Sequence, residues 1–126
     1  AGPQEAAASG TLFEQQIEGS IAQGIGYALL EELILKDGSI QTSDLSTYLI
    51  PTSLDLPPIE TVWVDSCEQT GPLGMKGVGE VAMNGPLPAI ANAFFQATGQ
   101  RITRAPLTPE RVLRVLTGES AKGGPE

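Results

Sequence analysis

The sequence predicts an α+β fold in which several helices pack on a small sheet. Three observations carry this reading. Apolar residues recur at helical spacing from about Glu14 to Leu33, an Asp37-Gly38 pair stands between two short apolar arms, and two later segments open on proline and close on glycine.

The first helix is predicted from the stripe Ile17, Ile21, Ile25, Ala28, Leu29 and Leu33, with Glu14 and Glu18 near its start, where the helix dipole favours acids. Gly19, Gly24 and Gly26 each weaken such a helix by about 1 kcal/mol relative to alanine, and close approach of another backbone or of a ligand is the usual compensation. Asp37-Gly38 then predicts a tight hairpin, because both central residues of its turn need positive φ. Residues 44–58 carry three prolines and read as an ordered loop. The β-branched run Ile59–Val64, which includes Trp63, predicts a strand buried on both faces. Pro86 and Pro88 open a second helix, apolar nearly all round and therefore expected to be buried, and Gly99 ends it. A short strand at Arg101–Thr103 precedes a last helix with Thr108 as N-cap, Pro109 in the first position and Gly118 as terminator. Residues 1–11 read as a disordered leader or remnant, 12–118 as the folded unit and 119–126 as a frayed tail.

At 126 residues the chain has the length of one domain, with enough sequence to bury a core. It contains no histidine and one cysteine, Cys67, which removes internal disulfides, Cys/His catalytic pairs and most familiar zinc sites. No apolar run is long enough for a membrane span, and the expectation is a cytoplasmic protein without a membrane partner. A net charge of −8 argues against nucleic acid as a partner. The charge is uneven: residues 1–69 hold eleven acids and one base, whereas residues 70–126 hold four acids and six bases. A solvated acidic face accounts for this; the functional reading is a C-terminal part turned towards an anionic cofactor or an acidic neighbouring domain.

The stretch with most chemical content is Gly71-Pro72-Leu73-Gly74-Met75-Lys76-Gly77-Val78-Gly79-Glu80. Four glycines in ten residues let a backbone turn sharply and approach another molecule closely. The run ends on Glu80, and an acid carried into a pocket there could serve in proton transfer. The plain alternative is a surface turn that ends in an acid. A phosphate-binding P-loop is excluded, because Lys76 is followed by glycine where a hydroxyl residue is needed. Paired-carboxylate hydrolysis needs a second acid that the sequence does not single out. A lone base beside a bound cofactor is the third possibility. Gln15, Gln16 and Gln23, on the glycine-rich helix, could bind a heterocycle or phosphate edge without charge, or simply face solvent.

Five motifs in order and register carry a resemblance: Gln16-Ile17-Glu18-Gly19, Gln23-Gly24-Ile25-Gly26, Tyr48-Leu49-Ile50-Pro51, Gly74-Met75-Lys76-Gly77-Val78-Gly79-Glu80 and Pro88-Ala89-Ile90-Ala91-Asn92-Ala93. Over residues 12–118 the chain resembles the C-terminal end of the large, molybdopterin-binding subunit of the molybdenum hydroxylases, a family that includes xanthine dehydrogenase, aldehyde oxidase and aerobic carbon monoxide dehydrogenase. The segment Thr70–Gly74 looks more like the xanthine dehydrogenase type than the carbon monoxide branch.

The resemblance implies a role for each matching position. Glu80 matches the glutamate that acts as general base on the water-derived nucleophile in these enzymes. Gln16 matches a glutamine that hydrogen-bonds the pterin, and backbone groups of Gly77, Val78 and Gly79 would lie near the metal centre. No protein side chain is expected as a metal ligand. The implied cofactor is molybdopterin carrying molybdenum, in its cytosine dinucleotide form, with iron–sulfur clusters and FAD on other domains or subunits. The implied substrate is a small N-heterocycle or aldehyde, hydroxylated at carbon. Implied partners are the remainder of the molybdopterin-binding subunit and the iron–sulfur and flavin subunits, none of which these residues supply. Gln15 departs from the pattern, standing where many members have glycine. The chain is therefore read as a fragment or split subunit, inactive alone; the alternative is a non-catalytic assembly domain that retains the fold.

Overall fold

The computed structural model describes residues 10–62, 64, 66–74 and 76–118. The leader and tail expected from the sequence fall almost entirely outside that range. Helix α1 spans Gly10–Leu29, β1 spans Leu35–Lys36, β2 spans Ser39–Ile40, α2 spans Pro86–Thr98 and α3 spans Pro109–Thr117. Two 3-10 turns, Pro72–Gly74 and Val81–Asn84, lie between the hairpin and α2. This is the predicted α+β class, with three helices and one two-stranded sheet among the described residues.

α1 starts and stops earlier than the apolar stripe predicts. The N–H groups of Leu30 and Glu31 both turn back to the Gly26 carbonyl, at 2.9 and 2.8 Å, and this wide turn closes the helix before Leu33. With the start at Gly10, Glu14 and Glu18 lie beyond the first turn, so the dipole argument for them does not hold. The core sits under the C-terminal end of α1, where Leu107 N–H donates to the Ala28 carbonyl at 2.7 Å. Ala28 and Leu107, 0% and 8% exposed, are the buried apolar side chains of the described core.

The hairpin forms as predicted. Leu35 pairs with Ile40 and Lys36 with Ser39, and φ is 50° at Asp37 and 76° at Gly38. Bonds from Gln41 N–H to the Ile34 carbonyl and from Ile34 N–H to Thr42 Oγ1 continue it past the strands. The 44–58 loop is ordered by its own acids. Asp44 Oδ1 accepts from the Ser46 N–H at 2.9 Å, and Asp55 Oδ2 accepts from the Thr52 N–H at 2.7 Å. Pro51 packs against Gly26, where a β-carbon would lie 2.7 Å from the proline Cδ.

Three expectations fail. Residues 59–62 and 64 form no strand, and Val62 and Val64 are 78% and 84% exposed; Trp63 lies outside the described residues. β-branched side chains favour an extended chain, yet a strand needs a neighbour, and none of the described segments pairs with this one. Residues 101–103 likewise form no strand; the Arg101 guanidinium instead lies 4.0 Å from the centre of the Phe95 ring and donates to Asn92 Oδ1. α2 is apolar as predicted but has no buried residue; among the described elements α1 and the Val81–Asn84 turn make its main contacts, and these do not enclose it. Its ends are as expected: proline in the first turn and Gly99 at φ 71°.

Candidate functional site

The glycine loop is built from its base upward. Glu68 N–H donates to the Gly74 carbonyl at 3.2 Å and Gly71 N–H to the Glu68 carbonyl at 3.2 Å, closing a tight turn. Gly74 has φ 75°, which favours glycine, and a β-carbon there would meet Cys67 Sγ at 2.5 Å, so the exposed thiol would have to turn aside. Lys76 Nζ donates to Ser66 Oγ at 2.9 Å, which spends its charge at the loop's base. Glu68 accepts from the backbone and hydroxyl of Thr70, and these bonds, with Lys76 nearby, hold its carboxyl below the usual range despite some desolvation.

Above this base, the loop is tied to α1. Ser20 is 5% exposed, and its hydroxyl donates to the Gly79 carbonyl at 3.0 Å. Glu80 comes next with φ −95° and ψ 19°, in the sparsely populated bridge region where many active-site residues sit. Its carbonyl accepts from Met83 N–H at 3.1 Å and starts the Val81–Asn84 turn. That turn rests on Gly24, where a β-carbon would lie 2.9 Å from the Met83 carbonyl oxygen and 2.7 Å from Pro86 Cγ. The close backbone approach expected at α1's glycines is thus met at Gly24, whereas Gly26 is approached by the side chains of Glu31 and Pro51. Gly19 has nothing within 4 Å.

Gln16, Ser20 and Gly24 are spaced four residues apart and share one face of α1. The glutamine is exposed, one turn before the serine that holds the loop. The fold therefore brings Gln16 and the run Gly77–Glu80 to one side of α1. Val78 is half-buried, whereas Gly77, Gly79 and Glu80 are exposed. Glu80 is exposed, and among the described residues no side chain bonds its carboxylate. A pocket around this acid is not formed by the described residues alone. Beside the loop, an open groove of about 620 Å³ runs between α1 and α2, lined by Ile21, Ile25, Leu29, Pro57, Pro86 and Ile90.

Sequence reasoning missed Ser20. The signal for it was a hydroxyl residue inside an apolar helical stripe, in step with Gln16 and Gly24. Among the described residues no group of three or more His, Cys, Asp or Glu could hold a metal ion, and no helix is long and apolar enough to cross a membrane.

Residues 8–57 match the molybdopterin cofactor-binding domain family. A xanthine dehydrogenase molybdenum-binding subunit of Escherichia coli is 40% identical over 103 residues, covering 80% of this chain and 14% of that protein. An aldehyde oxidoreductase of Megalodesulfovibrio gigas is 41% identical over 104 residues, covering 80% of this chain and 11% of that protein. Among solved structures, quinoline 2-oxidoreductase from Pseudomonas putida 86 superposes with a TM-score of 0.78 and 40% identity, over 85% of this chain and 14% of its own. A carbon monoxide dehydrogenase from Oligotropha carboxidovorans, 22% identical with a TM-score of 0.76, shares the fold over 86% of this chain and 14% of its own. The chain thus spans only 11–14% of the length of the relatives named. With these matches covering most of its residues, the chain belongs to the molybdenum hydroxylase family of the xanthine dehydrogenase and aldehyde oxidase type, within the molybdenum-binding subunit.

Proposed function

We propose that this chain forms one wall of the active site of a molybdenum-dependent hydroxylase, with Glu80 as the general base and a small N-heterocycle or aldehyde as substrate. The observation that carries the reading is the bond from Ser20 to the Gly79 carbonyl, which sets Glu80 on the same side of α1 as Gln16. Residues and cofactor are compatible on steric grounds. β-Carbons built at Gly77 and Gly79 meet nothing within 4 Å, so the space beside that backbone is open to another molecule. Gln16 is exposed and offers a donor and an acceptor to a pterin edge.

Molybdopterin, in the cytosine dinucleotide form, would supply the two-electron oxidation when bound. Gln16 would orient it, and the backbone of Gly77, Val78 and Gly79 would lie against it. The Glu80 carboxylate would take the proton of the water-derived nucleophile as that oxygen attacks an electron-poor carbon. Water exclusion around Glu80 would come from the remainder of the subunit, and iron–sulfur and flavin groups on other domains or subunits would carry electrons away. The isolated chain would then be inactive, since it holds one wall only. Its many exposed apolar side chains, Leu54, Val62 and Val64 among them, favour a second reading as an assembly domain without catalysis.

The deciding experiment is Glu80→Gln in the complete enzyme. General-base loss should lower kcat by about 10²- to 10⁴-fold with molybdenum and pterin content unchanged. Activity near that of the parent would remove Glu80 as base and leave the assembly reading standing.

A further inference from the structure

We infer that Ser20 is a positioning residue for Glu80, an inference that rests on the proposed role of Glu80 as base. A serine inside a helix ordinarily faces solvent or bonds the carbonyl one turn back on its own helix. Ser20 instead is 5% exposed and donates to the Gly79 carbonyl, 59 residues away in sequence. That carbonyl belongs to the planar peptide unit whose nitrogen is that of Glu80, so holding it fixes the plane from which the Glu80 Cα departs. The preceding loop has little else to define this geometry, since Gly77 and Gly79 are exposed and have no side chain to pack. On the far side, the Glu80 carbonyl accepts from Met83 N–H, and the Met83 carbonyl is seated on Gly24 of the same helix. α1 therefore grips the chain just before and just after Glu80, with the hydroxyl as the polar half of the grip. A base must stay within hydrogen-bond reach of its proton, and a displacement of about 1 Å is enough to cost much of the rate.

The test uses the complete enzyme with Ser20→Ala, Ser20→Cys and Glu80→Gln, comparing kcat, KM, molybdenum and pterin content, and backbone hydrogen exchange of residues 77–84. Ser20→Ala should lower kcat between about 10- and 100-fold with KM changed less than about twofold and cofactor content retained. Exchange across 77–84 should quicken while α2 is unchanged. Ser20→Cys fills the position with a slightly larger group that donates only weakly, so it should fall between Ser20→Ala and the parent in both kcat and exchange. A cysteine variant that matches the parent would mean that Ser20 only fills space, and would overturn the inference. So would an alanine variant with unchanged exchange across 77–84. Should Ser20→Ala fail to assemble, the cysteine variant alone decides by the same measurements. Full activity in Glu80→Gln would sink the base assignment and with it the catalytic role given to Ser20, while the exchange data would still report whether the hydroxyl holds the loop.

Discussion

Gly24 and Pro86 stand so close that a β-carbon on the glycine would lie 2.7 Å from Pro86 Cγ, and 2.9 Å from the Met83 carbonyl oxygen as well. A proline ring can shift slightly; a backbone carbonyl that ends the turn after Glu80 cannot do so without moving that turn. Gly24→Ala should therefore destabilise the protein by about 1–3 kcal/mol even after the gain in helix propensity. Gly19 sits on the same helix with open space around it, so Gly19→Ala should stabilise by about 0.5–1 kcal/mol. Urea unfolding of the pair checks both signs, and equal effects would contradict the packing described.

Arg111 joins the start of α3 to the segment that follows α1. It pairs with Glu32 and donates to the Pro106 carbonyl at 2.8 Å, and the two side chains are 18% and 34% exposed. Partial solvent access limits the ion pair to about 1 kcal/mol. Glu32→Gln should cost about that much, and less in high salt. Arg111→Ala should cost more, about 1–3 kcal/mol, because the partly covered Pro106 carbonyl loses a charged donor as well. A double-mutant cycle in low and high salt separates the two contributions.

Three carboxylates should titrate low. Asp44 is held down first by the Ser46 hydroxyl and then by the Ser46 N–H, Asp55 by the backbone and side chain of Thr52, and Glu68 by Thr70. For a carboxylate lowered by folding, the stabilisation is complete above its unfolded value, about 3.9 for Asp and 4.3 for Glu, and is lost as pH falls through the lower folded value. The 44–58 loop should accordingly stay ordered to about pH 4 and loosen below it, which carboxyl-carbon NMR titration would track. Tyr48 behaves in the opposite sense. Its hydroxyl donates to Glu31 Oε2 at 2.8 Å, which raises the phenol, so this contact persists below the ordinary tyrosine value of about 10 and fails as pH rises through the higher folded one. Tyrosinate absorbance should show Tyr48 delayed, and Glu31→Gln should remove the delay.

Leu113 and Leu116, 61% and 50% exposed, present one apolar side of α3 to solvent. Replacing both with glutamine should leave the chain's unfolding free energy within about 0.5 kcal/mol, as expected for exposed positions, and raise its solubility. If the face is covered in the complete enzyme, the same substitutions should weaken assembly there. Sedimentation of the chain and gel filtration of the enzyme read the two effects separately.

Local chemistry made much of this fold legible. Asp37-Gly38, Thr108 before Pro109, and the terminators Gly99 and Gly118 specify their own backbone geometry, and each appears where the sequence placed it. Thr108 Oγ1 accepts from Arg111 N–H as an N-cap should. The missing strand and the uncovered helix share one physical cause. A strand at 59–64 and a buried α2 both require a neighbour, and apolar content records the need for contact without naming what supplies it. The site was legible in part for the same reason. Glycine spacing pointed to close approach, and Gln16 and Glu80 stood out by motif, but Ser20 acts on a carbonyl 59 residues away, and no local rule connects them.

The two holds on either side of Glu80 also make α1 a measuring rod. Ser20 and Gly24 face the same way only because they are four residues apart, and each residue added to a helix rotates its downstream half by about 100°. One residue inserted between them would swing Gly24 away from Met83 and Pro86, or Ser20 away from Gly79, so the chain on one side of Glu80 would lose its seat. An insertion of equal size at the exposed Ser53 and Leu54 of the 44–58 loop would leave that alignment intact. Length is therefore a constraint in this part of the chain, as strict as residue identity.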